Sequence, residues 1–307
     1  MSVAAIVIGR NEGARLLRCL ESLEGYASPV IYVDSGSTDG SAASAARAGV
    51  LVVELDMATP FTAARARNVG LSVLPAAAPD LVQLVDGDCE LLPNWFAAAT
   101  SFLSANPRAA AVAGRLRERT LDTVWSRLAD AEWNVPPGKG RAIGGIAMVR
   151  RSALTAVGDF RADLAQGEEP ELSRRLEIAG WEVWRISDEM ALHDIAMTHF
   201  SQWWRRTRRG GYAAAEAASR KGDMHQFGAE TRRALLWGLV LPASAVLGAL
   251  LISPWMLMLL FAWPLQVLRL KLRGESWERA FFLTLGKLPE ALGVLAFRRD
   301  RILGGRD

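Results

Sequence analysis

Apolar positions fall into two regimes along the chain. In the first, a continuous apolar run at residues 3–8 and strand-like stretches at 30–33, 50–54 and 81–85 alternate with stretches of helical spacing. A continuous apolar run of this length predicts a strand buried on both faces. Leu16, Leu17, Leu20 and Leu23 repeat at helical spacing within residues 13–23, and the alanine-rich stretch 41–48 predicts a second helix. Alternation of this kind predicts an α/β domain with a Rossmann-like, mainly parallel sheet. Ligands collect beyond the carboxyl ends of such strands. Asn11-Glu12, Asp34, Asp86 and Asp88 stand at those ends. Trp181 and Trp184 flank Glu182 on a further predicted strand, where they serve packing.

The second regime begins near Thr198. Between residues 202 and 233, Arg205, Arg206, Arg208, Arg209, Arg220, Lys221, Arg232 and Arg233 outnumber Glu216, Asp223 and Glu230, with Trp203, Trp204 and Tyr212 interleaved. Arginine and tryptophan together suit a phospholipid headgroup layer. A basic aromatic patch also fits nucleic acid, but the segment that follows decides for a membrane. Residues 234–252 carry no charge, close to the roughly 20 residues that cross a bilayer. After Ser253-Pro254 comes a second uncharged run, 255–268, which at about 1.5 Å per residue covers only about 21 Å. Arg232 and Arg233 precede the pair, and Arg269, Lys271 and Arg273 follow it. Positive charge at both outer ends predicts a hairpin, as two spans or as a re-entrant wedge, with both ends on the cytoplasmic face. Residues 277–297, interrupted by Lys287, Pro289 and Glu290, fit a helix lying in the interface. The expected organisation is a catalytic domain at 1–200, a basic juxtamembrane segment at 201–233, and the hairpin with its amphipathic helix at 234–307.

Composition sharpens this picture in three places. The mean hydropathy is positive because apolar residues concentrate after Arg233. Cys19 and Cys89 have no metal-like spacing and are expected to be reduced thiols in a cytosolic setting. The apolar N-terminus lacks a charged leader and is cut short by Arg10 and Glu12, so a buried strand is expected there and not a signal peptide.

Asp86-Gly87-Asp88 directly follows an apolar run. Two carboxylates one residue apart at a strand end can bear on one hard cation, Mg²⁺ or Mn²⁺, which prefers a few carboxylates plus ligand phosphates. Such a cation would neutralise a nucleotide diphosphate as a leaving group. A solvated acidic turn is the plainer alternative. Further motifs stand in order: Ile6-Val-Ile-Gly-Arg-Asn-Glu12, Val33-Asp-Ser-Gly-Ser-Thr-Asp-Gly40, Ala64-Arg-Ala-Arg-Asn-Val-Gly70, Gly144-Gly-Ile-Ala-Met-Val-Arg-Arg151 and Gly167-Glu-Glu-Pro-Glu-Leu-Ser-Arg-Arg-Leu176. With these motifs the chain resembles glycosyltransferase family 2, inverting enzymes of the A-type glycosyltransferase fold, over roughly residues 3–200, and in particular its membrane-associated bacterial members.

The resemblance implies roles. Glu12 and Asp34 would line the base and ribose pocket, with Arg67 supporting the base or diphosphate. Asp88 would ligate the metal directly, with Asp86 near the ribose or behind the metal. Gly144 and Gly145 would let the backbone pass close to sugar and acceptor. Glu169 stands where the family carries an aspartate as general base. Glu168-Glu169-Pro170-Glu171 replaces the commoner Glu-Asp-x-Asp, so Glu168 is a second candidate for that role. These acids also suit the N-terminus of a helix over 172–179. His193 stands where relatives carry a metal-completing histidine, with His199 competing.

Gln202-Trp-Trp-Arg205-Arg206 resembles the Q-x-x-R-W motif of processive synthases, except that Arg206 replaces the final tryptophan. Single-sugar addition is therefore expected. Arg205 and Arg206 would hold the diphosphate of a lipid acceptor or form a plain basic patch. The expected partners are an NDP-sugar donor, UDP-linked first, a lipid-linked saccharide or polyprenyl phosphate acceptor, and the membrane, but no nucleic acid. A catalytically silent membrane scaffold is the reading from another class. The turn at 136–140 would be a lid over the acceptor or a structural connection.

Overall fold

The computed structural model describes residues 2–140, 142–164, 167–219 and 225–304. Arg220, Lys221 and Asp223 of the basic stretch lie outside the described residues. The chain divides into two compact units, Met1–Ala196 and Met197–Asp307.

The first unit is built on one mixed sheet. Its strands are β1 (Ala4–Gly9), β2 (Val30–Asp34), β3 (Leu51–Glu54), β4 (Leu81–Asp86), β5 (Cys89–Leu91), β6 (Ala109–Glu118), β7 (Gly138–Lys139), β8 (Ala147–Arg150) and β9 (Glu182–His193). They lie in the order β3-β2-β1-β4-β8-β6-β9-β5, with β7 paired to β9. The half made of β3, β2, β1 and β4 is parallel, as the apolar runs predict. Beyond β4 the pattern changes: β8 is antiparallel to both neighbours, β9 is parallel to β6, and β5 and β7 run antiparallel to β9. The sheet is thus mixed, and its second half carries residues that the first cannot supply.

Helices α1 (Ala14–Leu23), α2 (Ser41–Arg47), α3 (Ala63–Val73), α4 (Pro93–Ala105), α5 (Val124–Trp133), α6 (Arg151–Val157) and α7 (Glu168–Ile178) complete the first unit. On α1 the buried set is Leu16, Cys19, Leu20 and Leu23, a helical stripe laid on the sheet. Helix α3 starts on Thr62, whose hydroxyl accepts from the Arg65 amide at 3.1 Å. It packs tightly on the sheet at Gly70, where a Cβ would run into the Ile6 side chain. That approach sets Arg67, one turn earlier, at the carboxyl edge of the sheet. Helix α7 begins after Gly167 (φ 83°) and carries Glu168, Glu169 and Glu171 in its first turn. There acids also favour the helix N-terminus.

Pairing register places the remaining polar groups. His193, the last residue of β9, stands opposite Cys89 of β5 on one side and Glu118 of β6 on the other. Asp88 immediately precedes β5, so the register brings it beside His193.

The second unit is helical: α8 (Phe200–Ser219), α9 (His225–Leu235), α10 (Leu241–Leu251), α11 (Ala262–Leu272), α12 (Trp277–Leu285) and α13 (Lys287–Ile302). A π-helical turn at Leu236–Val240 joins α9 to α10, and a 3₁₀ segment at Pro254–Phe261 leads into α11. Among the described residues, three continuous helices are long and apolar enough to cross a membrane: Phe227–Leu251, Pro254–Leu272 and Trp277–Ile302. Pro289 does not interrupt the last of these, because it falls in the first turn of α13, where its missing N–H costs little.

Candidate active site

The loops after β1 and β2 are tied to each other. Asn11 adopts φ 58°, its amide donates to Ser37 Oγ at 2.9 Å, and its Oδ1 accepts from the Thr38 amide at 2.7 Å. Buried Asp34 holds the same loop from within. Its Oδ2 accepts from the Gly36 and Ser37 amides at 3.0 and 2.8 Å, and its Oδ1 accepts from the Tyr32 hydroxyl at 2.8 Å. Asp34 therefore shapes the rim beyond β2. Glu12 lies across the ends of β1 and β4, ion-paired to Arg15 at 2.6 Å. A Cβ at Gly9 or Gly87 would sit 3.0 or 3.2 Å from Glu12 Cγ, so glycine at these positions leaves Glu12 room to lie close to both strand ends. Burial, and then the charge of Asp88, push the Glu12 carboxyl above its ordinary value.

Arg67, 3% exposed, joins the motifs that lie far apart in sequence. Its Nη1 donates to Glu168 Oε1 at 3.0 Å and Glu169 Oε1 at 3.2 Å. Its Nη2 donates to Asp86 Oδ1 and the Gly145 carbonyl, both at 3.2 Å. The Phe160 ring packs under the guanidinium, 5.5 Å from its centroid. Only a planar multi-donor cation can serve four acceptors in this way.

One cation cannot neutralise three carboxylates. Burial, opposed by Arg67 and reinforced by Asp88, pushes Asp86 up to about 6. Burial and the neighbouring Glu169 charge push Glu168 up to about 7. Glu168 ordinarily titrates at 4.5, so between about pH 4.5 and 7 the folded chain holds a proton there that the unfolded chain has lost. Stability then falls as pH rises through that window, since the folded state binds more protons. Glu168→Gln is expected to flatten the fall of thermal midpoint between pH 5 and 8; an unchanged slope would place the raised carboxyl elsewhere.

The residues fit a divalent cation. His193 Nε2 lies 3.4 Å from Asp88 Oδ2. Cys89 joins them in a group whose potential ligand atoms all lie within 4.8 Å of one another. Burial pushes the Cys89 thiol up, and it donates to Asp88 Oδ1 at 3.3 Å, so it supports the carboxylate as a protonated neighbour. Glu118 fixes the imidazole from behind. Its Oε1 bonds His193 Nδ1 and accepts from Trp133 Nε1 at 3.1 Å, and its Oε2 accepts from the Ile195 amide at 3.1 Å. Burial opposes the imidazolium, but the bonds to Asp88 and Glu118 prevail and push His193 up to about 10. A carboxylate behind the distal nitrogen is the usual support of a metal-binding histidine. Glu118→Gln is expected to weaken Mn²⁺ binding, read by electron paramagnetic resonance titration, by about 10-fold. Equal affinity would confine Glu118 to a packing role.

The sequence profile of glycosyl transferase family 2 matches residues 4–158, half of the chain. The chain belongs to glycosyl transferase family 2. Among solved structures, this glycosyltransferase is similar to the mannosyltransferase PcManGT from Pyrobaculum calidifontis, solved in complex with GDP-Man and Mn²⁺. That likeness has a TM-score of 0.67 at 20% identity, covering 95% of this chain and 86% of that one. It is also similar to S. aureus TarS 1–349 in complex with UDP-GlcNAc, with a TM-score of 0.52 at 13% identity, over 99% and 92% of the two chains. At these identities the likeness is one of fold, the A-type glycosyltransferase fold. A TPR repeat-containing protein of Synechococcus elongatus is 34% identical over 90 residues, 29% of this chain and 21% of that protein's length.

In this family member Gly145 is crowded for a visible reason. A Cβ there would lie 3.0 Å from Arg67 Nη2, 3.1 Å from Asp86 Oδ2 and 3.6 Å from Glu169 Oε1. Gly144 takes φ 76°, a conformation that favours glycine. Glu168 is buried, whereas the Glu169 side chain is 20% exposed. Asp86 turns to Arg67, and Asp88 turns to His193. Arg205 and Arg206 sit on α8 in the second unit, as does His199 just before it, with its ring bonded to Thr198 Oγ1. Glu118, Asp130 and Trp133 belong to no motif. Asp130 ties α5 to β6, bonding Arg115 Nη2 and the Glu118 amide at 3.0 and 3.1 Å. The one sequence signal for Glu118 is its phase, two residues after Leu116 on the buried face of β6.

Proposed function

We propose that this glycosyltransferase inverts the anomeric centre of an NDP-sugar, UDP-linked first, as it moves one sugar to a lipid-linked saccharide at the cytoplasmic face of a membrane. The observation that carries the reading is the convergence on Arg67 of Asp86, Glu168, Glu169 and the Gly145 carbonyl, with Asp88, two residues after Asp86, set against His193. Residues 1–200 form the catalytic domain, 201–233 the basic segment, and 234–307 the membrane element.

Glu12 and the loop organised by Asp34 and Asn11 receive the base and ribose. Arg67 keeps Asp86 and Glu169 at fixed positions, so neither carboxylate reorganises when substrate enters. Asp88 and His193 would hold the divalent cation, and the imidazole favours Mn²⁺ over Mg²⁺. When bound, that ion supplies positive charge to the departing diphosphate. Glu169, the less buried member of the carboxylate pair, takes the proton from the acceptor hydroxyl. The acceptor oxygen bonds the anomeric carbon from the face opposite the diphosphate, the bond to the diphosphate breaks, and the nucleoside diphosphate leaves with that electron pair. Glu168, held on the buried side of Arg67, is the positioning partner. PcManGT with GDP-Man and TarS with UDP-GlcNAc support a nucleotide-sugar donor, and the Mn²⁺ of PcManGT supports the metal.

The exposed apolar side chains of the second unit, including Leu247, Leu250, Leu251, Ile252 and Trp255, support a membrane as the partner of residues 234–307. Such a surface supports an acceptor that is itself lipid-borne, reached by the arginines of α8.

The test is turnover of a panel of UDP- and GDP-sugars by detergent-purified protein, with Mn²⁺, with Mg²⁺ or with chelator, in wild type and Asp88→Ala. Metal-dependent release of one nucleoside diphosphate is expected, lost in the variant by about 10³-fold, the equivalent of about 4 kcal/mol of leaving-group stabilisation. Equal, metal-independent turnover in both proteins would overturn the assignment. Extended lipid-linked saccharides tested against polyprenyl phosphate alone then identify the acceptor class.

A further inference from the structure

By length and composition the second unit offers three crossings, which would leave the two ends of the membrane element on opposite faces. Its packing argues otherwise. Helix α8 carries Arg205, Arg206, Arg208 and Arg209 within one 20-residue helix, with Arg205, Arg208 and Arg209 exposed. Each arginine at a bilayer centre costs about 3 kcal/mol, so α8 lies outside the hydrocarbon.

The helix Trp277–Ile302 is bound to α8 along most of its length. Phe282 meets Trp203 with ring centroids 5.0 Å apart, and Phe297 meets Tyr212 at 5.4 Å. Between these rings, glycines bring the two backbones together. A Cβ on Gly211 would run into the Glu290 backbone, and one on Gly293 would run into the Arg208 carbonyl. Small residues at such points let helices approach closely. A helix held this way shares the depth of its partner, so Trp277–Ile302 lies outside the hydrocarbon too.

The same packing takes in the start of the first apolar helix. Ala234 shares a small core with Ala215 and Val294, and Gly238 is set against the Lys287 backbone, with no room for a Cβ. What remains free of that layer is the stretch 239–251, thirteen residues or about 20 Å of helix, short of the roughly 30 Å hydrocarbon thickness. The chain reverses at Ile252-Ser253, and Gly248 packs against Met256 to close the hairpin. At the tip, Leu250, Leu251, Ile252 and Trp255 are 76%, 81%, 78% and 78% exposed, and Ser253 is the one polar side chain from 246 to 261. A hairpin emerging on the far face would put that apolar tip in water.

We infer that residues 239–268 form a re-entrant wedge that enters and leaves the bilayer through one face, and that Trp277–Ile302 rests on that face beside α8 without crossing. The inference rests on the membrane reading above and fixes its geometry. The cationic side chains of α8 and those ending α13, Arg298, Arg299 and Arg301, then lie on one side, suited to anionic headgroups.

Site-directed labelling of the full chain tests it. Membranes from expressing cells are prepared as sealed vesicles of both orientations and treated with a membrane-impermeant maleimide. Native Cys19 and Cys89 are buried, and unsubstituted protein sets the background. Ala77→Cys, on the exposed surface of the first unit, reports the catalytic side. The expected result is that Leu303→Cys labels from the same side as Ala77→Cys. Ser253→Cys and Ile252→Cys are expected to label from neither side until detergent is added. Labelling of either tip position from the opposite side would overturn the wedge in favour of full crossing. Labelling of a tip position from the catalytic side would show that the hairpin does not enter, and labelling of Leu303→Cys from the opposite side would restore the third crossing. Release of unsubstituted protein by a carbonate wash would instead remove the membrane reading itself.

Discussion

Arg67→Met is expected to destabilise the catalytic unit by about 3 kcal/mol, the low end of the cost of breaking a buried ion pair, because Glu168 is left buried while the Asp86 and Glu169 side chains are 40% and 20% exposed. The magnitude follows from what the guanidinium leaves behind. Asp86, Glu168 and Glu169 share it as their common cation, and the Gly145 carbonyl would lose its donor. Methionine fills a similar volume above Phe160 but offers no charge and no donor. Arg67→Lys is expected to fall between, since one ammonium cannot reach four acceptors spread over both terminal guanidinium nitrogens. The loss should also depend on pH. Asp86 is pushed to about 6 and Glu168 to about 7, so at pH 5.5 the carboxylates of the variant accept protons and their repulsion eases. At pH 8 they must ionise together. Denaturant unfolding at the two pH values checks both statements. A loss under about 1 kcal/mol at pH 8 would mean that the carboxylates swing to water once released.

The first half of the sheet was legible because β1 and β2, parallel strands with buried side chains, leave continuous apolar runs; β4 is broken only by buried Gln83, and β3 is a short edge strand ending in Glu54. The second half was harder to read. Strand β6 ends in Arg115-Leu-Arg-Glu118, where alternation is masked by charge, and β7 is two residues long. The motif residues Glu12, Asp34, Arg67, Asp86, Asp88, Gly144, Gly145, Glu168, Glu169 and His193 were all nameable from sequence. What sequence could not supply is who faces whom. The bonds from Arg67 span 101 and 102 residues to Glu168 and Glu169, and those from Glu118 span 75 residues to His193. Such contacts depend on strand order, which no local pattern contains. Glu118 carries no local signature, because a carboxylate in a charged segment looks solvated until a buried histidine is placed against it. In the second unit, apolar length is visible in sequence, but the glycines that fasten Trp277–Ile302 to α8 have meaning only once their partners are known.

Glu169→Gln is expected to lower transfer to acceptor by about 10²–10⁴-fold while leaving nucleotide-sugar binding close to wild type. The amide keeps the shape and an oxygen for Arg67, but it cannot take a proton from a hydroxyl. Glu168→Gln should leave transfer within about 10-fold, because that side chain is buried against Arg67 and meets no open face. Glu169→Asp discriminates further. It shortens the carboxylate by one bond, and a displacement near 1 Å costs roughly 10²-fold when the acceptor is positioned for the longer side chain. If Glu169→Asp were instead as active as wild type, the acceptor hydroxyl would have to approach within reach of either length. Reversal of the pair, with Glu168→Gln inactive and Glu169→Gln active, would move the base to the buried side of Arg67. That outcome would require the acceptor to open the cluster as it binds, and Arg67 would then act as a gate between the two carboxylates.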